Sequence, residues 1–157
     1  MFYSRKRLSF INEKKGFTLL EMMVVVVIIG VLAGVAVPNV ADWVTRYRLR
    51  SATRNLISNM IKAKSQAISE NMPYVIAFND IEGQDTYTIT SGTAVWGPIE
   101  LSPGHPEVEY DTISFNPPQL TFRSNGMVGQ GGSITLTNDR GETYIITIRI
   151  TGVMEIN

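Results

Sequence analysis

Hydrophobic and polar positions divide the chain into three successive patterns. Residues 17–37 form an apolar run in which only Thr18 and Glu21 are polar. Apolar residues then recur at spacings of mostly three and four as far as about residue 71. Beyond residue 73 they fall into short β-branched and aromatic runs, separated by glycine, proline, asparagine and aspartate. These patterns predict a helix that is apolar all round, then an amphipathic helix, then a set of strands.

The apolar run has the length of a membrane span. At ~1.5 Å per residue its twenty-one residues span roughly 30 Å as a helix, about the apolar thickness of a bilayer. Basic residues flank it only on the N-terminal side, which places that side in the cytoplasm. A cleavable secretory signal has a shorter apolar core and an A-x-A site, which "LAGVAVPN" lacks. Residues 17–38 are therefore predicted to be a transmembrane helix.

Three residues mark special positions in this segment. Gly30 and Gly34 are a small-xxx-small pair, which lets helices approach closely in lipid, although glycines are also common in membrane helices without that role. Pro38 removes one helical hydrogen bond and is expected to kink or locally melt the helix.

Residues 39–71 are predicted to continue as an amphipathic helix that ends at "NMP". Its apolar face is predicted to comprise Val40, Val44, Tyr47, Ala52, Leu56, Met60, Ala63 and Ala67. Arg46, Arg50 and Arg54 recur at intervals of four on a different face and predict a basic surface.

Residues 72–157 are predicted to form an antiparallel β domain of about six to eight strands. The runs are "YVIAFN", "TYTIT", "ISF", "LTFR", "SITLTN" and "TYIITIRI", and "NDRGE" predicts a hairpin turn between the last two. The apolar face of the helix needs a partner, and the sheet is the obvious one. The fold class is therefore α+β, with a long N-terminal helix packed on a C-terminal antiparallel β domain.

Charge is distributed unevenly although the formal net charge is zero. Residues 1–16 carry five basic residues against one acidic residue, a net charge of +4. Residues 72–157 carry three arginines against ten acidic residues, a net charge of −7. Such asymmetry indicates regions with different surroundings.

The residues that most enzymes and metal sites need are scarce. The chain has no cysteine, which excludes disulfides, thiolate ligands and a cysteine nucleophile. Its one histidine, His105, lies among glycine and proline in a predicted loop, so a catalytic triad is not indicated. "GQGG" at 129–132 lacks the lysine of a phosphate-binding loop. We expect no enzymatic activity and no cofactor.

A cluster of acidic residues gives the one candidate for a metal. Asp80, Glu82 and Asp85 share a loop, but their spacing differs from that of an EF-hand. A solvated turn is the default interpretation and adventitious calcium the alternative, so no metal site is predicted.

The N-terminal stretch "KGFTLLEMMVVVVIIGVLAGVAVPN" resembles the signature of type IV pilins and of the pseudopilins of type II secretion. The resemblance covers the basic leader ending in Gly16, then Phe17, Glu21, the apolar stretch and Pro38. The second half, "LTFRSNGMVGQGGSITLTNDRGETYIITIRITGVMEI", is similar to the end of the GspH/FimT group of minor pilins and pseudopilins. That group shows an aromatic residue followed after three residues by glycine, here Phe122 and Gly126, and a late glycine, here Gly152. The group often has arginine after the late glycine, whereas this chain has Val153.

The resemblance implies processing and assembly. A prepilin peptidase would remove the leader, residues 1–16, by cutting between Gly16 and Phe17, and would methylate the new amino group of Phe17. The subunit would wait in the inner membrane as a single-pass protein, with its N-terminus cytoplasmic and its β domain periplasmic. An inner-membrane assembly platform would then move it from lipid into a helical filament of other pilins or pseudopilins. The implied role is that of a minor subunit of a type IV pilus or type II secretion pseudopilus, in assembly initiation or at the tip.

Glu21 is costly in lipid unless it finds a partner. In this family the carboxylate pairs with the amino group of Phe17 on a neighbouring subunit, which would set the register of assembly. An intrachain partner, or recognition by the processing enzymes alone, is the alternative.

DNA is the alternative partner, because some proteins of this group take part in DNA uptake. Binding would need a basic patch on the exposed domain. The net charge of residues 72–157 argues against it, whereas Arg123, Arg140 and Arg149 would favour it if they clustered.

Overall fold

The computed structural model describes residues 16–80 and 84–157, without the side chains of 35–39 and 41. One helix, α1, spans Leu19–Ser69 and precedes every strand. The leader before Gly16 lies outside the described residues. The chain divides into two compact units between Val40 and Ala41. The strands are β1 Tyr74–Asn79, β2 Thr86–Ser91, β3 Ala94–Glu100, β4 Val108–Ile113, β5 Gln119–Phe122, β6 Gly132–Asn138, β7 Thr143–Ile148 and β8 Met154–Ile156.

The strands form two four-stranded sheets in which every pairing is antiparallel. The first sheet has the order β3-β2-β1-β5 and the second the order β4-β6-β7-β8. Buried residues alternate with partly buried ones, most clearly in β1 and β6. The predicted α+β class, with a long N-terminal helix and an antiparallel β domain, is confirmed.

The C-terminal part of α1 packs its apolar stripe into the same core as the two sheets. The stripe recurs at spacings of three and four and consists of Leu49, Ala52, Leu56, Met60, Ala63 and Ala67, each at most 3% exposed. Its three alanines allow the helix backbone to approach the strands closely. Two members of the predicted stripe are wrong: Val40 is 56% exposed and Tyr47 59% exposed. The five-residue step from Tyr47 to Ala52 already breaks the helical period, and Leu49 lies on the buried face instead.

The predicted end of α1 at "NMP" is confirmed. The last helical residue is Ser69, and Asn71 has a left-handed φ of 53°. The amide of Met72 donates to the carbonyl of Ala67 at 3.2 Å, which closes the last turn in the manner of a Schellman motif. The "NDRGE" hairpin is also confirmed: the Asn138 amide donates to the Glu142 carbonyl at 3.2 Å, and the Glu142 amide donates to the Asn138 side-chain oxygen at 3.0 Å, where β6 turns into β7.

Two buried tyrosines lie in the core with different hydrogen bonding. The hydroxyl of Tyr87 accepts a hydrogen bond from Asn59 on α1 at 2.6 Å. The hydroxyl of Tyr110, a residue 5% exposed, has no hydrogen-bond partner among the residues that the structure describes. Burial raises the pKa of the Tyr110 phenol far above its ordinary value, and the nearby Asp85 carboxylate adds to the effect.

We expect Tyr110→Phe to leave the free energy of unfolding unchanged or raise it by up to ~1 kcal/mol, because it removes an unpaired buried hydroxyl. Tyr87→Phe is the matched control and should lower the same quantity by ~1 kcal/mol, because the Asn59 amide loses its acceptor. Urea unfolding of the full chain in one detergent, followed by near-ultraviolet circular dichroism, measures both. Equal losses in the two variants would mean that the Tyr110 hydroxyl is hydrogen-bonded in solution.

Candidate assembly site

The N-terminus of α1 is closed by a reciprocal pair of hydrogen bonds between Thr18 and Glu21. The amide of Glu21 donates to the Thr18 hydroxyl oxygen at 3.2 Å. In return, one Glu21 carboxylate oxygen accepts from the Thr18 amide at 2.9 Å and from the Thr18 hydroxyl at 3.0 Å. This is a capping box, with threonine at the N-cap and glutamate three residues later. Glu21 therefore has an intrachain partner in the single chain, the alternative that the sequence left open.

The two residues before the cap are exposed and not helical. Gly16 has open space around it, and Phe17 is 78% exposed. Because α1 begins only at Leu19, the peptide bond between Gly16 and Phe17 lies in a non-helical, exposed stretch. A protease that binds its substrate as an extended strand could reach this bond without unwinding the helix.

The first sixteen residues of α1 expose apolar side chains on every side. Leu19 is 78% exposed and Val31 65%. A Cβ added to Gly30 or Gly34, the predicted helix-packing pair, would meet no other atom within 4 Å, so the surface beside them is open in the single chain. An apolar surface all round a helix is stable in water only when something covers it. Lipid or neighbouring helices are the two candidates.

Pro38 lies inside α1, and its side chain is outside the described set. The helix continues on both sides of it, so local melting is not seen, and the kink stays a prediction. Among the residues whose placement the structure describes, no helix is both long enough and apolar enough to cross a membrane.

The predicted basic surface on α1 is exposed but partly neutralised within the chain. Arg46, Arg50 and Arg54 are all exposed. Arg46 forms an ion pair with Glu142 in the β6–β7 turn at 2.6 Å, and Arg140 in the same turn pairs with Asp42. These pairs tie the helix to the second sheet, and they leave Arg50 and Arg54 as the unpaired charges of this surface within the described part of the chain.

A further ion pair joins α1 to the loop before β4. Arg48 donates to a Glu107 carboxylate oxygen at 2.6 Å, and the His105 ring nitrogen lies 3.6 Å from the same oxygen. Burial alone would raise the pKa of Glu107, but hydrogen bonds and the charge of Arg48 outweigh burial and lower it. His105 lies in a loop, as predicted, and is half-buried beside this pair.

The two glycines of the C-terminal motif meet on α1. The Gly152 carbonyl accepts a hydrogen bond from the Lys64 ammonium at 2.8 Å, and the turn before it is closed by the Gly152 amide donating to the Arg149 carbonyl. A Cβ on Gly152 would overlap the carbonyl oxygen of Gly126. A Cβ on Gly126 would lie 2.7 Å from the Ile68 side chain. Space therefore requires glycine at 152, where the clash is with backbone, while at 126 the Ile68 side chain could shift and the φ of 76° is what favours glycine.

Lys64 was missed by sequence reasoning. It is separated from Gly152 by 88 positions along the chain, and no local pattern links a helix lysine to a distant turn. The base that caps this turn therefore comes from α1, not from a residue next to Gly152 in the sequence.

The other candidate groups do not converge. Asp85 is 8% exposed and accepts a hydrogen bond from the backbone amide of Tyr110, so its carboxylate points into the fold, while Glu82 lies outside the described residues. In the part of the chain that the structure describes, no group of three or more acidic or histidine side chains could hold a metal ion. Of the three β-domain arginines, Arg140 pairs with Asp42 and Arg149 with Glu155.

Comparison with known proteins gives two family matches. Residues 11–37 match the prokaryotic N-terminal methylation motif, and residues 52–153 match the family described as type II transport protein GspH. The second match covers more than half of the chain. It includes the C-terminal part of α1, strands β1 to β7 and the glycine pair at 126 and 152.

Individual relatives are fimbrial proteins. Fimbrial protein Q of Moraxella bovis is 33% identical over 84 residues, which are 53% of this chain and 54% of that protein. A fimbrial protein of Pseudomonas aeruginosa is 34% identical over 86 residues, 55% of either chain. The chain thus spans about half the length of the curated relatives it matches.

One solved structure shares the fold. The type IV minor pilin FimU of Pseudomonas aeruginosa superposes with a TM-score of 0.55 over 73% of this chain and 92% of that chain, at 16% sequence identity. The chain belongs to the GspH family of pilin-like proteins and carries the prokaryotic N-terminal methylation motif at its start.

Proposed function

We propose that this chain is a structural minor pilin or pseudopilin that is processed by a prepilin peptidase and built into a helical filament with other pilins. The observation that carries the proposal is the start of α1. An exposed apolar helix, whose N-terminus is closed by the Thr18–Glu21 capping box, is followed in the same chain by a folded domain of the GspH family. Such a helix serves no purpose in an isolated soluble domain. It fits a subunit that is stored in lipid and then packed among other helices.

Processing is proposed at the bond between Gly16 and Phe17, with methylation of the new amino group on Phe17. The accessible, non-helical conformation of residues 16–18 supports it, and the N-terminal methylation motif spans this bond. We place the stored subunit in the inner membrane, anchored by residues 17–38 and with the leader on the cytoplasmic side. The apolar sequence from 17 to 37 and the basic leader support this orientation.

The role is structural and not enzymatic. Several polar groups of the folded domain hold α1 against the β domain. They are the pairs Arg46–Glu142, Arg48–Glu107 and Lys64–Gly152. We propose that the surfaces through which the chain functions are those that contact neighbouring subunits in the filament. We place it among the minor subunits that initiate assembly or lie at the tip, in line with the fold that it shares with a type IV minor pilin.

Processing is tested by expressing the full chain with and without a prepilin peptidase and measuring the intact mass of the product. We expect loss of residues 1–16 and a gain of one methyl group on Phe17. Gly16→Val should block the cut, because a branched side chain crowds the scissile bond. Gly30→Ala is the matched control, a glycine inside the helix with open space around it, and should be processed normally. Retention of the leader, while a co-expressed pilin is cut, would overturn the proposal.

A further inference from the structure

We propose that one exposed face of α1, formed by Trp43, Tyr47, Arg46, Arg50 and Arg54, docks on the phospholipid headgroup layer while the subunit is stored in the membrane. We refer to these five residues as the aromatic–basic face. The inference rests on the proposed membrane anchor, and it names a second, separate contact between the folded domain and the lipid.

The aromatic–basic face is contiguous. At about 100° of rotation per helical residue, its five side chains fall within an arc of about 100°. Trp43 is 63% exposed and Tyr47 59%, and their rings stack at a centroid distance of 5.5 Å. Arg46 is similarly open, with 70% of its side chain exposed. Two large rings and three guanidinium groups therefore share one surface.

This face points away from the core. Leu49, Ala52 and Leu56, on the opposite side of the same helix, are almost completely buried against the sheets. The described residues of the chain leave the two rings largely uncovered. Exposing two stacked aromatic rings to water is unfavourable, and a stable monomer seldom presents them without a partner.

The charge of the face suits an anionic partner. Arg46 is paired with Glu142, and Asp42 beside it is paired with Arg140, so these four groups cancel. Arg50 and Arg54 have no ion pair within residues 16–80 and 84–157, and they give the face a net positive charge. Phosphate groups of lipids are complementary to such arginines, whose long side chains can extend to reach them.

The position of the face along the chain favours lipid over another protein. Trp43 is the sixth residue after Val37, where the apolar run ends. Six residues rise about 9 Å along a helix axis and the eleven residues from Trp43 to Arg54 rise about 17 Å more, so docking of the whole face has this part of α1 lying nearly along the membrane surface. The headgroup layer extends roughly 5–8 Å beyond each side of the apolar core of a bilayer. Tryptophan and tyrosine are enriched in that layer, because each ring has an apolar body and a polar edge.

The same residue types are common at protein interfaces, so a neighbouring copy of the chain is the competing occupant. In that case the face would be covered only after assembly. Docking on headgroups makes the opposite prediction, since the contact then exists in the stored subunit and is broken when the subunit leaves the membrane.

Fluorescence can separate the two tryptophans of the chain. In W96F, Trp43 is the only tryptophan, and in W43F only Trp96 remains, on the edge strand β3 and 42% exposed. Each full-chain variant is reconstituted in phosphatidylethanolamine–phosphatidylglycerol vesicles with lipids brominated near the headgroup. We expect strong quenching of Trp43 and weaker quenching of Trp96. Lipids brominated near the chain ends should quench Trp43 less.

The electrostatic part is tested in the same W96F background. Replacing Arg50 and Arg54 by glutamine should lower the ratio of subunits with the face docked to subunits with it undocked roughly fivefold per arginine. The change is measured as reduced quenching of Trp43. R123Q is the matched control, since it removes an exposed arginine of the β domain that is not on this face, and it should leave the quenching unchanged.

Flotation of the vesicles distinguishes failure of the anchor from failure of this inference. A chain that does not float overturns the proposed anchor and the docking with it. If the chain floats but Trp43 is quenched no more than Trp96, the anchor stands and the docking is overturned. Emission of Trp43 that is shifted to the blue without quenching would also overturn it, because the face is then covered by a second copy. Unchanged quenching in the double arginine variant would overturn the assignment of Arg50 and Arg54.

Discussion

Replacing Gly152 by alanine is expected to lower the free energy of unfolding of the β domain by roughly 3 kcal/mol. Two costs add. Gly152 has a φ of 73°, in the left-handed region, where a Cβ costs about 1 kcal/mol. The new Cβ would also overlap the carbonyl oxygen of Gly126. That oxygen belongs to the backbone of a neighbouring turn, so it cannot rotate away as a side chain would.

Gly104→Ala is the matched control for the left-handed conformation alone. Gly104 has a φ of 72°, but a Cβ added there would meet no atom within 4 Å. It should therefore lose only about 1 kcal/mol. The difference between the two urea midpoints, measured on the full chain in the same detergent, isolates the contact between the two turns. Equal midpoints would mean that the turns separate freely and that Gly152 does not hold them against α1.

Strands with β-branched alternation could be predicted from the sequence, and strands without it could not. "YVIAFN" and "SITLTN" coincide with β1 and β6 almost residue for residue. β3 was missed because its sequence, AVWGPIE, contains glycine and proline and nearly all of its residues are exposed. It lies at the edge of its sheet beside an irregular register, where proline is tolerated.

β4 and β8 were missed for other reasons, and the predicted strand "ISF" is wrong, because only its Ile113 lies in a strand, at the end of β4. In β4, VEYDTI, the buried Val108 and Tyr110 alternate with the exposed Glu109 and Asp111. That alternation is typical of a half-buried strand, but aspartate and glutamate have low strand propensity and weaken the signal. β8 has only three residues, and it depends on its pairing with β7 more than on its own composition.

The buried face of α1 could be predicted only in part from the spacing of its apolar residues. Thr45 and Thr53 are buried, whereas Trp43 and Tyr47 are exposed. Side-chain size does not decide burial here, because the sheets lie against one side of the helix only. An exposed aromatic residue can instead be covered by a membrane or by another subunit. The helical spacing of apolar residues does not distinguish these partners from the core of the chain.

Part of the candidate assembly site was readable from local sequence. Gly16, Phe17 and Glu21 stand out through the motif, and the spacing of Thr18 and Glu21 is the signature of a capping box, which sequence reasoning passed over. The capping box shows that the role of Glu21 has to be tested for two partners. Its carboxylate bonds Thr18 of the same chain and is also proposed to pair with a neighbouring subunit.

Glu21→Ala is expected to leave cleavage and methylation intact and to abolish incorporation into filaments. Cleavage before Phe17 creates an amino group that is positively charged at neutral pH. We propose that it meets Glu21 of a neighbouring subunit inside the apolar bundle. Removing one partner of a buried ion pair costs roughly 3–5 kcal/mol, a hundredfold or more in the equilibrium for incorporation. The measurement is the amount of the variant in sheared filaments relative to the membrane fraction.

The capping box supplies the controls that separate charge from helix capping. Glu21→Gln keeps an acceptor that can close the cap but removes the charge, whereas Thr18→Ala removes the capping hydroxyl and keeps the carboxylate. If charge sets the register, Glu21→Gln fails to assemble as completely as Glu21→Ala, and Thr18→Ala assembles with a smaller loss. If Glu21→Gln assembled like the wild type while Thr18→Ala failed, the carboxylate would serve α1 of its own chain, and intersubunit register would have to come from the apolar helices alone.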